Sequence, residues 1–186
     1  MLAYVFWHWK RTPIAAHEYE ALQRAFHAAL AADPSSGFQR SLSVGLSGAP
    51  WADSGNEAYE DWYLVDDFGA LEALNEAAIS ARRSAPHDAA AAEAAGGSGG
   101  VYRLRIGELD GLPRYACWFG KPGGMPYSEL FARLAPVVEE ARGALWMRQM
   151  VLGPAREFCL HAPAPVSLPG SFDVLTIPLR PAWPNP

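Results

Sequence analysis

The 186-residue chain is half hydrophobic and 12% aromatic, enough to bury roughly 70% of its unfolded surface without disulfide or metal staples. The formal net charge is -5 and the 15 Lys and Arg are scattered, which argues against nucleic acid and against an anionic membrane surface as partners. No run approaches the roughly 18 apolar residues of a membrane span, the start "MLAYVFWHWK" lacks a signal-peptide pattern, and two cysteines without metal-type spacing exclude a disulfide scaffold. The expectation is a cytoplasmic protein with a small-molecule ligand, no cofactor, and a monomeric or homodimeric state.

In chain order, residues 3–10 read as a strand. Tyr19, Leu22, Phe26 and Leu30 fall on one stripe of a helix over 15–32, stopped by "DPSSG". "FQRSLSVGL" (38–46) alternates at the strand period, a Gly/Pro/Asn loop covers 47–56, and "AYEDWYLV" (58–65) is a strand. Asp66 or Asp67 caps a helix over about 67–83. Residues 84–100, "SAPHDAAAAEAAGGSGG", combine an Ala run with Gly-Gly-Ser-Gly-Gly and read as a flexible insertion without function. "VYRLRIGEL" (101–109) is a strand, and "GELDG" (107–111) carries an Asp-Gly turn signal. "YACWFG" is a strand, "PYSELFARLAPVVEEAR" a helix containing Pro136, "LWMRQMVLG", "EFCLH" and "SFDVLTIPL" strands. The Pro-rich "APAPVSLPG" stands where a helix would complete the pattern.

The two halves repeat one plan. Tyr4-x-x-Trp7-x-x-Lys10 matches Tyr115-x-x-Trp118-x-x-Lys121, and beyond the next loop the register settles at a constant 108, with Tyr19 opposite Tyr127, Phe26 opposite Leu134 and Arg40 opposite Arg148. The order β-α-β-β-α-β is the ferredoxin-like unit. The fold class is α+β: unit 1 over 1–110, carrying the flexible insertion 84–100, and unit 2 over 111–186, lacking its second helix.

This order of elements resembles the dimeric α+β barrel superfamily, here as tandem ferredoxin-like repeats in one chain. That resemblance implies two sheets packed face to face. Its members include cofactor-free antibiotic-monooxygenase-like enzymes, EthD-like and stress-responsive barrels, muconolactone isomerase-like enzymes and haem-binding chlorite-dismutase-like proteins. It therefore implies a fold more than a function.

Paired sheets would enclose a central cavity, the default ligand site. Alternation along the first strand puts Tyr4, Phe6, His8 and Lys10 on one face and Val5, Trp7 and Trp9 on the other. The polar set is assigned to the cavity, with Val5 and Trp7 under the helices. The matching set in the second half is Tyr115, Cys117, Phe119 and Lys121, so Phe119 stands where the first half has His8. One polar and one apolar half point to a single site near His8. His8 is either a packing residue with one hydrogen bond or an acid/base, and Asp61 on the neighbouring strand is placed to orient it. Tyr4, Phe6, Tyr63 and Phe119 are candidate ligand contacts, and Arg40 and Arg148 candidate carboxylate binders or edge arginines. His161 reads as a surface residue or a ligand, and His17 and His27 point to solvent. Cys117 and Cys159 lie on neighbouring strands, with contact between them left open.

Three readings compete. The first is a cofactor-independent oxidoreductase or isomerase acting on a small apolar or aromatic compound. The second is a non-catalytic ligand-binding or stress-response barrel. The third is a haem protein ligated through His8 or His161. An interior simply filled with side chains also fits the sequence.

Overall fold

The computed structural model describes residues 1–51, 57–80, 82–170 and 172–184; part of the expected 47–56 loop lies outside them. The first half comprises β1 (Leu2–Lys10), α1 (Ala16–Ala32), β2 (Phe38–Leu46), β3 (Ala58–Val65), α2 (Phe68–Ala78), α3 (Ser84–Ala92) and β4 (Ala94–Gly107). The second comprises β5 (Tyr115–Phe119), α4 (Tyr127–Glu140), β6 (Ala144–Arg148), β7 (Phe158–Ala162) and β8 (Val174–Trp183). The strands close into a barrel in the order β1-β3-β2-β8-β5-β7-β6-β4. Each half contributes one ferredoxin-like sheet, β4-β1-β3-β2 and β8-β5-β7-β6, and antiparallel seams β2–β8 and β4–β6 join them. Closure leaves neither sheet an open edge. The expected α+β barrel of two ferredoxin-like units is the fold of this chain.

The repeat extends to side-chain detail. Lys10 Nζ donates to the Ile14 carbonyl and Lys121 Nζ to the Met125 carbonyl, each at 2.8 Å, so both lysines tie the first strand of their half to the following loop. Asp67 accepts from the Ala70 N–H and caps α2 as expected. The missing helix of the second half is replaced by the Pro-rich segment, whose Val166 and Leu168 pack onto the cluster beneath α4.

The segment 84–100 differs from expectation. It forms α3 and the first half of β4, and residues 94–103 of β4 pair with β1. The glycines suit this strand because aromatic rings of β1 lie across them. A Cβ on Gly97 would meet the Phe6 ring at 2.4 Å, and one on Gly99 the Tyr4 hydroxyl at 2.6 Å. Composition mimicked a linker, but the partner strand's rings supply the apolar cover that glycine lacks.

The two faces of the first sheet are also exchanged relative to expectation. The barrel interior receives Ala3, Val5 and Trp7 of β1, and it is filled by Trp62, Trp118, Trp146 and Tyr102, all fully buried. Tyr4 and Phe6 instead pack with Phe26, Leu30 and Leu74 of α1 and α2. Polarity could not assign the faces, because β3 carries a carboxylate on each: Asp61 toward the helices, and Glu60 toward the barrel, where it accepts the indole N–H groups of Trp7 and Trp62 at 2.5 Å each.

Candidate functional site

The space expected between the sheets lies between the first sheet and its helices. It is a cavity of about 640 Å³, within the size range of small-molecule sites. Tyr4, Phe6, Asp61 and Tyr63 form its floor, α1 contributes Tyr19, Gln23, Phe26 and Leu30, α2 Leu71 and Leu74, and α3 His87 and Ala90. The lining is mostly apolar; Asp61 and the Tyr4 and Tyr63 hydroxyls lie on the floor, and Gln23, Glu72, Asn75 and His87 add polar groups from the helices.

α1 reaches this floor through a ladder at four-residue spacing. Tyr19, Gln23 and His27 are buried with Phe26 and Leu30, whereas Leu22 is only half-buried. His27, expected in solvent, is fully buried, while His17 is exposed as expected. Reading only apolar residues shifted the stripe; following the polar ladder Tyr19-Gln23-His27 as well would have found the inward face.

Asp61 is the centre of the polar group. Its Oδ2 lies 3.1 Å from His8 Nε2 and 3.3 Å from His27 Nε2, and accepts from the Tyr63 hydroxyl at 3.0 Å. The two imidazole contacts are close, but neither has good hydrogen-bond geometry. Behind the rings, His8 Nδ1 meets the Tyr19 hydroxyl and His27 Nδ1 the Ser41 hydroxyl, both at 2.7 Å. A carboxylate facing Nε2 favours the tautomer with hydrogen there, leaving each Nδ1 to accept from its hydroxyl. Asp61 Oδ1 is buried and has no hydrogen-bond partner.

The electrostatics follow from this packing. Burial alone would raise the Asp61 carboxyl, but the close approach of His8 and His27 outweighs it and holds the group well below the usual carboxylate range. Burial raises the Tyr19 and Tyr63 phenols, and the Asp61 charge adds to both. Burial and then Asp61 raise Tyr4 as well. The floor is therefore one fixed carboxylate among neutral hydroxyl donors.

Of the residues singled out from sequence, Tyr4, Phe6, Asp61 and Tyr63 line this cavity, and His8 stands immediately behind Asp61. Three others are elsewhere. Phe119 packs against Phe158 and Phe172 under α4. Arg148 donates to the carbonyls of Gly153 and Ala155, tying down a loop. Arg40 sits half-buried on β2 under the influence of Asp110, away from the cavity wall. His161 is fully buried in the barrel, with its ring 4.5 Å from that of Trp62, and is not at the surface. Cys117 belongs to the cluster under α4 and Cys159 to the barrel cluster, so the thiols occupy opposite faces of the second sheet.

Among the described residues, no group of three or more His, Cys, Asp or Glu is arranged to hold a metal ion, and no helix is long and apolar enough to cross a membrane. Haem ligation does not fit the two histidines considered for it: His8 is buried, with Nδ1 bonded to Tyr19 and Nε2 facing Asp61, and His161 is fully buried against Trp62.

No protein-family model and no curated protein matches this sequence. Solved structures do match its fold. A candidate monooxygenase from Fusobacterium nucleatum subsp. nucleatum superposes with TM-score 0.64 at 8% identity, covering 97% of this chain and 92% of its own. A candidate monooxygenase from Lactobacillus acidophilus NCFM gives 0.61 at 8% identity, covering 97% and 94%. An anthrone oxidase-like protein gives 0.51 at 11% identity, covering 98% and 93%. At these identities the likeness establishes the barrel fold and leaves the chemistry to be argued from the site.

Proposed function

We propose that the cavity beneath α1 and α2 binds a small, largely apolar aromatic compound and removes a proton from it. Proton removal from a weakly acidic O–H or activated C–H opens both cofactor-independent oxidation and isomerisation. The names of the fold neighbours, two candidate monooxygenases and an anthrone oxidase-like protein, favour the oxidative branch.

The observation that carries this reading is the line from the cavity wall through Tyr19 Oη and His8 Nδ1 to Asp61 Oδ2, with contacts of 2.7 and 3.1 Å. The Tyr19 hydroxyl passes its proton to His8 Nδ1 as it takes one from the ligand. It relays and does not store the proton, since its pKa is raised. The imidazolium that forms is held by Asp61, which stays ionised. Asp61 Oδ1 accepts a ligand O–H, while the Tyr4 hydroxyl donates to a developing oxyanion and Tyr63 keeps its proton on Asp61 Oδ2.

The test is proton exchange. β-Tetralone, an enolisable bicyclic ketone, is incubated with the protein in heavy water and its acidic C–H signals are followed by NMR. The expected result is accelerated exchange, lost in His8→Ala and Tyr19→Phe while binding persists. Saturable binding with no acceleration in the wild type would contradict catalysis and leave a ligand-binding barrel.

A further inference from the structure

The barrel interior contains a second polar group that the cavity chemistry does not use. Glu60 is fully buried, and its two oxygens accept the indole N–H groups of Trp7 and Trp62. Around it the indoles form one connected set. Ring centroids are 6.2 Å apart for Trp7 and Trp51, 5.1 Å for Trp51 and Trp118, and 6.0 Å for Trp7 and Trp118. Trp62 joins Trp118 at 6.3 Å and Trp146 at 5.2 Å. Four of the five are fully buried; Trp51 is partly exposed and links the set to solvent.

We propose that this cluster is a one-electron donor site for oxidants of the organic peroxyl-radical class, with Trp51 as the entry point and Trp7 or Trp62 as the residue finally oxidised. The reasoning rests on where a missing electron is best tolerated. Removing an electron from an indole leaves a cation whose N–H is strongly acidic. In a buried interior of low polarity an isolated cation is costly. The N–H groups of Trp51, Trp118 and Trp146 have no hydrogen-bond partner to take the proton. Those of Trp7 and Trp62 already rest on a carboxylate, which both attracts the cation and accepts its proton. Three other titratable side chains face Glu60: His161, whose Nε2 is 3.9 Å away; Cys159, whose thiol is raised by burial and then by the Glu60 charge; and Tyr102, whose phenol is raised chiefly by burial, with the charges of Cys159 and Glu60 adding.

The step balances as follows. The peroxyl radical takes one electron through Trp51 and one proton from solvent and becomes a hydroperoxide. The vacancy moves to Trp7, directly or through Trp118. The Trp7 Nε1 proton moves to Glu60 Oε2, leaving a neutral indolyl radical and a carboxylic acid. One protein reduces one radical. The proposal is independent of the cavity reading, since the residues involved face the opposite side of the sheet.

The experiment uses photo-oxidised tris(bipyridine)ruthenium as the one-electron oxidant. The protein carries Trp9→Phe and Trp183→Phe, which remove the indoles outside the barrel. Flash-generated radicals are identified by transient absorption and electron paramagnetic resonance. In this background a neutral indolyl radical is expected. In Glu60→Gln the neutral signal is lost in favour of the cation radical, and in Trp51→Phe the radical yield collapses. A neutral radical formed unchanged in both variants, or oxidation confined to exposed tyrosines, would overturn the proposal. Near-UV circular dichroism verifies that Glu60→Gln folds, and if it does not, the Trp51→Phe result decides alone.

Discussion

The helix-covered faces of the two sheets start from the same plan and end differently. Taking Trp7 and Trp118 as equivalent, the pairing Trp7↔Glu60 corresponds to Trp118↔Cys159. His8 is then matched by Phe119, and Asp61 by Leu160. In the second half these positions join Leu134, Val138 and Phe158 in a continuous apolar core. In the first half they hold an imidazole and a carboxylate, and a cavity opens above them. The difference is one of supply. A buried carboxylate is tolerated only with partners, and α1 brings His27 and Tyr19 while β1 brings His8. Opposite α4 the corresponding residues are apolar, so that side closes. One half of the duplicated frame is packed with apolar side chains, and the other keeps a cavity over a polar cluster.

The comparison is broken most severely by placing the polar residue in the apolar half. Leu160→Asp buries a charge without a partner and is expected to cost about 3–5 kcal/mol, measured by urea unfolding. Phe119→Ala, which empties a fully packed site between Phe158 and Phe172, is expected to cost a similar 3–5 kcal/mol. Phe6→Ala faces the existing cavity and is expected to cost less, about 1 kcal/mol. An equal cost at both positions would mean that the first half is packed as tightly as the second.

Acid sharpens the same contrast. The Asp61 carboxyl is held below its ordinary value of 3.8, so the stability it contributes is complete above that pH and is lost as the pH falls through the folded-state value. Asp61→Asn should flatten that part of the acid-unfolding curve, followed by circular dichroism between neutral pH and strongly acidic buffer. A wild-type curve that Asp61→Asn leaves unchanged would remove the charged cluster from the account. The smallest effect is expected at Arg133, whose pair with Glu129 lies on the exposed face of α4: Arg133→Ala should shift stability by less than about 0.5 kcal/mol.

The sequence made the architecture legible because order and spacing are carried by many residues. The lengths of β2 and β3, the start of α1 and the Asp67 cap emerged from periodicity and capping alone. The site was partly legible. His8, Asp61, Tyr4 and Tyr63 were selected because they share a face and carry polar atoms. Their partners were missed for two physical reasons. A glycine-rich run reads as a linker until the rings of β1 are placed across it. And a strand with a carboxylate on each face, Glu60 and Asp61, does not reveal which one meets the helices. That choice depends on His27, which sits at the edge of the apolar stripe of α1.

The most direct measurement is the binding of β-naphthol, followed by NMR titration, to the wild type and to Leu74→Trp, which fills the cavity from α2. The account predicts saturable binding with shifts at Tyr4, Asp61 and Tyr63, abolished by Leu74→Trp in a protein that remains folded. Binding of equal strength in Leu74→Trp, or shifts confined to the second half, would contradict it.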